Sequence, residues 1–134
     1  MKRILICIIL CLCTLIGVQA ARKAPGEKVG VTFDTMAYDF GTINQADEKV
    51  THEFVMTVTG ESPVAILSAS ASCGCTKPSY DRKPAKPTKS TKIKVSFYPK
   101  GQKGEINKSV RLRLKNGDGK SEDITLRIVG VVVP

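Results

Sequence analysis

The 134-residue chain has no tryptophan, a single histidine (His52) and only 5% aromatic residues. The scarcity of aromatics among its many lysines leaves out the stacking platforms on which single-stranded nucleic acid is usually read. No Gly-x-Ser-x-Gly elbow, paired-carboxylate motif or phosphate loop occurs. With His52 as the one possible imidazole base, a cysteine nucleophile would have little to activate it. These absences favour a protein without catalytic activity and without a cofactor.

Cysteine is also scarce where it could be used. Of five cysteines, Cys7, Cys11 and Cys13 fall in an amino-terminal stretch, "MKRILICIILCLCTLIGVQA", with Lys2 and Arg3 ahead of an apolar run from Ile4 to Ile16. A basic start, an apolar run and Val18-Gln19-Ala20 read as a signal peptide over residues 1–20, cleaved after Ala20. The run is shorter than the roughly 20 residues of a spanning helix, so a retained anchor is the weaker reading. Leucine precedes both Cys11 and Cys13, where lipoprotein processing wants a small residue. The product is therefore expected to be exported, periplasmic or secreted, with no membrane segment after cleavage. Only Cys73 and Cys75 would remain, enough for one bridge in an oxidising compartment but not for a disulfide framework.

Acidic residues are nearly missing from one stretch. Residues 77–115 carry 13 Lys or Arg against Asp81 and Glu105, whereas the rest of the chain after residue 20 holds 6 basic and 10 acidic residues. An exported protein seldom meets nucleic acid, so an anionic glycan, lipid head group or acidic protein suits this surface better. Solubilising lysines on loops and outward strand faces are the plainer alternative.

What the chain does have is alternation. In "KVTHEFVMTV" the face Val50, His52, Phe54, Met56, Val58 opposes Lys49, Thr51, Glu53, Val55, Thr57. Ile93, Val95 and Phe97 alternate with Lys92, Lys94 and Ser96, and Val110, Leu112 and Leu114 with Ser109, Arg111 and Arg113. No segment keeps a period of 3.6, so these are half-buried antiparallel strands rather than helices. A last strand, "DITLRIVGVVV", turns Ile124, Leu126, Ile128 and Val132 to one side, with Gly130 permitting a bulge or a close approach. Turn residues at 59–63, 100–104 and 116–119 separate the segments, and about seven short strands at this spacing predict an all-β sandwich over 31–134, after a short flexible lead-in at 21–30. Phe54, Met56, Val95, Phe97, Leu112, Leu126 and Ile128 are its expected core.

The stretch "SASASCGCTKP" admits several chemistries. Ala65, Leu67, Ala69, Ala71, Cys73 and Cys75 share one parity, so a strand continuing through the motif would point both sulfurs inward. Extended, the two Cα atoms would lie about 6.6 Å apart, near the upper limit for a disulfide. A bond needs a turn at Gly74, and so small a ring would be strained and easily reduced. As metal ligands, two cysteines are too few for zinc. Joined by His52 and Met56 they would form a soft, copper(I)-like set, if the fold gathered them.

"YDFGTI" at 38–43, "TGESP", "SCGCTKPSYDRKPAKP", "KIKVSFYPKGQKGEINKSVRLRL" and the terminal "LRIVGVV" together resemble the bacterial domain of unknown function 1573 family. The resemblance spans nearly all of the chain after the leader. It implies an immunoglobulin-like antiparallel sandwich, similar to sperm-protein and Hydin-type domains, acting through its surfaces. In immunoglobulin-type order the strand near 105–115 pairs with the terminal strand, placing Arg111, Arg113 and Lys115 with Arg127 on one outer face. That cationic strip is the expected docking face for an anionic envelope component. The alternative is a copper-binding or thiol-redox protein built on Cys73 and Cys75.

Overall fold

The computed structural model describes residues 23–134. The leader expected over 1–20 lies outside the described residues. Eight strands follow one another: β1 (Val31–Phe33), β2 (Ala37–Asn44), β3 (Val50–Val58), β4 (Val64–Ala71), β5 (Thr76–Tyr80), β6 (Ser90–Phe97), β7 (Gly104–Asn116) and β8 (Ser121–Val133). They form two four-stranded sheets, sheet I in the order β1-β3-β6-β5 and sheet II in the order β2-β8-β7-β4. The count is eight, against the expected about seven, and the shortest is the three-residue β1. One pairing also departs from an all-antiparallel plan, because β2 runs parallel to β8, with a register shift between Asp39 and Thr42.

Alternation puts the core where the sequence pattern predicts it. Phe54, Met56, Val95, Phe97, Leu112 and Leu126 are fully buried and Ile128 nearly so, facing each other from β3 and β6 across to β7 and β8. Such interdigitated inner faces supply most of the stabilisation of a sandwich, at about 25 cal/mol per Å² of apolar surface removed from water. Gly130 does serve a close approach: a Cβ there would sit 3.0 Å from Ile43 Cδ1 and 3.1 Å from the Gly41 carbonyl oxygen.

The segment expected as a flexible lead-in is tied down from Gly26 onward. The Gly26 and Lys28 amides both donate to the Glu122 carboxylate at 3.0 Å, and Val29 is buried in the core. Gly30 closes this segment at a φ of 77°, with its carbonyl accepting from the Thr59 and Gly60 amides. A Cβ on Gly30 would lie 2.9 Å from the Gly60 Cα, a backbone atom that cannot swing away. Gly30→Ala is therefore expected to destabilise the fold by about 1–3 kcal/mol, seen as a lower denaturant midpoint at constant slope.

In β4 the expected inward parity holds at Ala69 and Ala71 but fails at Ala65 and Leu67, for a local reason. Val64 and Ile66 face the core, and the pairing with β7 then slips between Ile66 and Ser68, so Leu67 is an extra residue with 52% of its surface exposed. A bulge of this kind consumes one residue and inverts the faces beyond it. Ala69 and Ala71 then turn inward, and Ser68 and Ser70 outward, up to the end of the strand.

Candidate functional site

The β7–β8 ladder sets the geometry of the basic residues. Arg111 pairs with Thr125, Arg113 with Asp123, Ser109 with Arg127 and Lys115 with Ser121. Side chains of odd-numbered residues on both strands leave the core, so Arg111, Arg113, Lys115 and Arg127 are all exposed on the outer face of sheet II. Counter-charge there is sparse. Arg113 Nη1 lies 4.0 Å from Asp123 Oδ1, an acidic neighbour that the one-strand pattern does not reveal, and Arg127 Nη1 donates to Asn107 Oδ1 at 3.2 Å. Among the described residues Arg111 and Lys115 have no carboxylate within ion-pair distance.

Sheet I treats its lysines differently. Lys92 Nζ sits 3.0 Å from Glu53 Oε2, and Lys94 is the direct cross-strand neighbour of Glu53. The hydrogen bond and charge of Lys92 hold the exposed Glu53 carboxyl below its usual range. A lowered carboxyl favours the folded state above its unfolded value and loses that small contribution as acid protonates it in the folded state.

The cysteine turn lies where the chain leaves one sheet for the other. β4 ends at Ala71 in sheet II and β5 starts at Thr76 in sheet I, so Cys73-Gly74-Cys75 is a crossover turn rather than a continuous strand, and of the two cysteines expected to face inward it is Cys75 that packs against the core. The Thr76 amide donates to the Cys73 carbonyl at 3.3 Å, which closes the turn and brings the two Cα atoms to 5.4 Å, and the cysteines are joined as a disulfide. Bonds on both flanks fix the turn to the sandwich: Ser72 N to the Ser109 carbonyl at 2.9 Å, Ser109 N to Ser72 Oγ at 3.1 Å, and Tyr98 N to the Cys75 carbonyl at 2.8 Å. The hydroxyl of buried Thr76 lies 3.8 Å from each sulfur.

A family model described as "Protein of unknown function (DUF1573)" matches residues 31–132, from the start of β1 to the penultimate residue of β8. The chain belongs to the DUF1573 family. No curated protein matches it. Among solved structures it is similar to the VesB protease of Vibrio cholerae, at 15% identity and a TM-score of 0.63, covering 76% of this chain and 32% of that one. It is similar to the ASH/PapD-like domain 7 of human CEP192, at 11% identity and a TM-score of 0.64, over 87% and 92% of the two chains. The periplasmic chaperone SfaE gives 8% identity and a TM-score of 0.59, over 78% and 58%. This DUF1573 chain thus spans about a third of VesB and somewhat over half of SfaE. At such identities the likeness establishes an immunoglobulin-like, PapD-like sandwich and nothing of those proteins' activities.

Within the DUF1573 fold the four soft-ligand candidates are not gathered. Cys73 and Cys75 are bonded to each other, whereas His52 and Met56 lie on β3, which β6 separates from β5. Two strand spacings are about 10 Å, far beyond a shared coordination sphere. Met56 is wholly buried. His52 instead stacks on Tyr38 of β2, with ring centroids 3.7 Å apart and planes 9° apart, and meets the Phe54 ring edge-on at 4.7 Å. This stack joins sheet I to the edge strand of sheet II and was invisible in the sequence, because Tyr38 and His52 are neighbours only through the sandwich.

Proposed function

We propose that this DUF1573 chain is a non-catalytic exported module that binds an anionic component of the cell envelope, glycan or acidic protein, through Arg111, Arg113, Lys115 and Arg127. The observation that carries this reading is the contrast between the faces. Sheet II displays its guanidinium groups against one carboxylate at 4.0 Å, whereas sheet I places Glu53 against Lys92 at 3.0 Å. Arginine's planar fork holds carboxylate or phosphate oxygens in pairs, which suits recognition better than lysine's single ammonium. Export is supported by the basic and apolar amino-terminal pattern, and an oxidised cysteine pair suits the compartment beyond it. Retention on immobilised poly-glutamate and on polygalacturonate tests the reading. Binding is expected at low ionic strength and should fall steeply past about 0.15 M salt, where the screening length is near 8 Å. Retention that ignores salt, or none at all, would remove it.

A thiol-redox role keeps a place as the second reading, because the disulfide joins residues only two apart and its cysteines are half-buried rather than enclosed. So short a ring constrains the unfolded chain little. Replacing both Cys73 and Cys75 by serine is accordingly expected to cost no more than about 1–2 kcal/mol by the loop-entropy relation, measured by chemical denaturation. If the bridge stays closed in a glutathione-buffered reducing mixture, as titration of free thiols would show, the redox reading fails.

A further inference from the structure

Sheet II ends at β4, and β4 differs from the other sheet edges. β1 has three residues and is followed by Asp34, whose carboxylate accepts from the Val55 amide at 2.9 Å. β2 carries Asp39 and a register shift, and β5 carries Lys77 and Pro78. Charge, proline, shortness and irregularity are the devices by which sheet edges avoid pairing with other chains. β4, "VAILSASA", has neither charge nor proline, and its bulge at Leu67 leaves Ser68–Ala71 regular beyond it.

The free backbone groups on this edge follow from the ladder. The Val64 amide and carbonyl point away from β7, because both are bonded to Ala85 at 2.9 and 2.8 Å. Val64, Ile66, Ala69 and Ala71 face Asn116, Leu114, Leu112 and Val110, all of one parity on β7. Antiparallel alternation then turns the amides and carbonyls of Ile66, Ala69 and Ala71 to the same open side as those of Val64. Ala85 satisfies Val64 alone, and among the described residues no turn, loop or side-chain bond reaches the other three.

Side chains beside the edge restrict what can pair there. Ser68 and Ser70 lie directly across from Arg113 and Arg111 on the outer face. Their small side chains leave room for the Arg111 arm to reach over β4 to a strand laid along it, and the Arg113 arm would exchange Asp123, 4.0 Å away on β8, for a carboxylate of that strand. At the far end, exposed Leu67 with Pro63, Ala65, Pro84 and the stem of Lys115 lines an apolar cleft of about 320 Å³. A second copy of this chain would bring its own arginines against these, and that repulsion opposes self-pairing.

We infer that the open edge of β4 takes up an extended acidic segment of a partner protein as an added strand, its backbone bonded to Ile66, Ala69 and Ala71 and its carboxylates to Arg111 and Arg113. An apolar side chain of the same segment fills the Leu67 cleft, so main-chain bonds give affinity and alternate side chains give choice of partner. The inference rests on the basic-face reading and narrows its partner to protein.

The test is amide hydrogen exchange of the 15N-labelled protein with two capped octapeptides, one carrying two Glu and one Val on alternate positions with Thr between them, so that all three share a face, the other of the same net charge but interrupted by proline. The alternating peptide is expected to bind at least about tenfold more tightly and to slow exchange at Ile66, Ala69 and Ala71 by about tenfold or more. Ala71→Pro removes an amide that points away from β7, a place where an edge strand tolerates proline, and should abolish the difference between the peptides. Exchange in the unaltered protein decides the matter even if that variant fails to fold. Equal binding of both peptides, or of polygalacturonate, without protection at the three amides would overturn the strand and leave the basic face standing. Binding of no polyanion would overturn both, and protection at these amides by self-association alone would overturn the acidic partner.

Discussion

Truncation of Phe97 to alanine is expected to lower the unfolding free energy by about 3–5 kcal/mol, the range for deleting a buried aromatic. Phe97 is fully buried and closes β6 at the row where it faces Val50 of β3 on one side and Thr76 of β5 on the other. Its removal would leave a cavity where three strands of sheet I and the crossover turn meet, and the rigid ladders on both sides limit collapse into it. Domains of this size hold only about 5–15 kcal/mol in total, so the variant should sit near its unfolding threshold. Equilibrium denaturation at constant slope measures the loss. A value under about 1 kcal/mol would mean that the inner face of β6 is not the packing face.

The largest functional effect is expected from Arg111→Glu combined with Arg113→Glu. The pair converts two cations on β7 into two anions on the face that carries the proposed contact, a change of four charges, without touching the core side of the strand. A single exposed ion pair contributes about 0–1 kcal/mol, so several lost and reversed together should weaken binding to poly-glutamate by about 10- to 100-fold at low salt. Arg113→Glu also places like charges opposite each other at Asp123, which costs a few tenths of a kcal/mol in stability. Arg111→Gln with Lys115→Gln, which avoids that clash, should give an intermediate loss. The matched reversal of Lys92 and Lys94 on sheet I should leave most of the binding in place. All differences should shrink as salt rises. Equal binding by every variant would reduce the basic strip to a solvated surface.

The core and the outer faces were legible in the sequence because both depend on parity within a strand. Val95 and Phe97 against Lys94 and Ser96, or Leu112 and Leu114 against Arg111 and Arg113, reveal both the core and the outer face, because a half-buried strand repeats every two residues. The same rule misleads at Leu67, where a one-residue bulge breaks the count and turns an apolar side chain to solvent. Nothing in "SPVAILSASAS" marks that position, since the bulge is fixed by how β4 sits on β7.

Features set by distant pairing were not legible. Glu122 holds the Gly26 and Lys28 amides from nearly a hundred residues away, the parallel β2–β8 register brings Tyr38 over His52, and Asp123 meets Arg113 only once the β7–β8 register is known. Each is a cross-strand relation that no local window contains. The open edge of β4 belongs to the same class, since an edge is defined by the neighbour it lacks.

Sheet II, with Lys108 and Lys115 beside its three arginines, and not sheet I, with Lys77, Lys92 and Lys94, is the proposed docking face. Mapping backbone amide shifts of the 15N-labelled protein during titration with poly-glutamate at low ionic strength tests it most directly. Shifts concentrated on β4, β7 and β8, around Ser68–Ala71, Arg111–Lys115 and Arg127, and reversed by salt, are the predicted result. Shifts of equal size around Lys92 and Lys94, or spread evenly over both sheets, would contradict it.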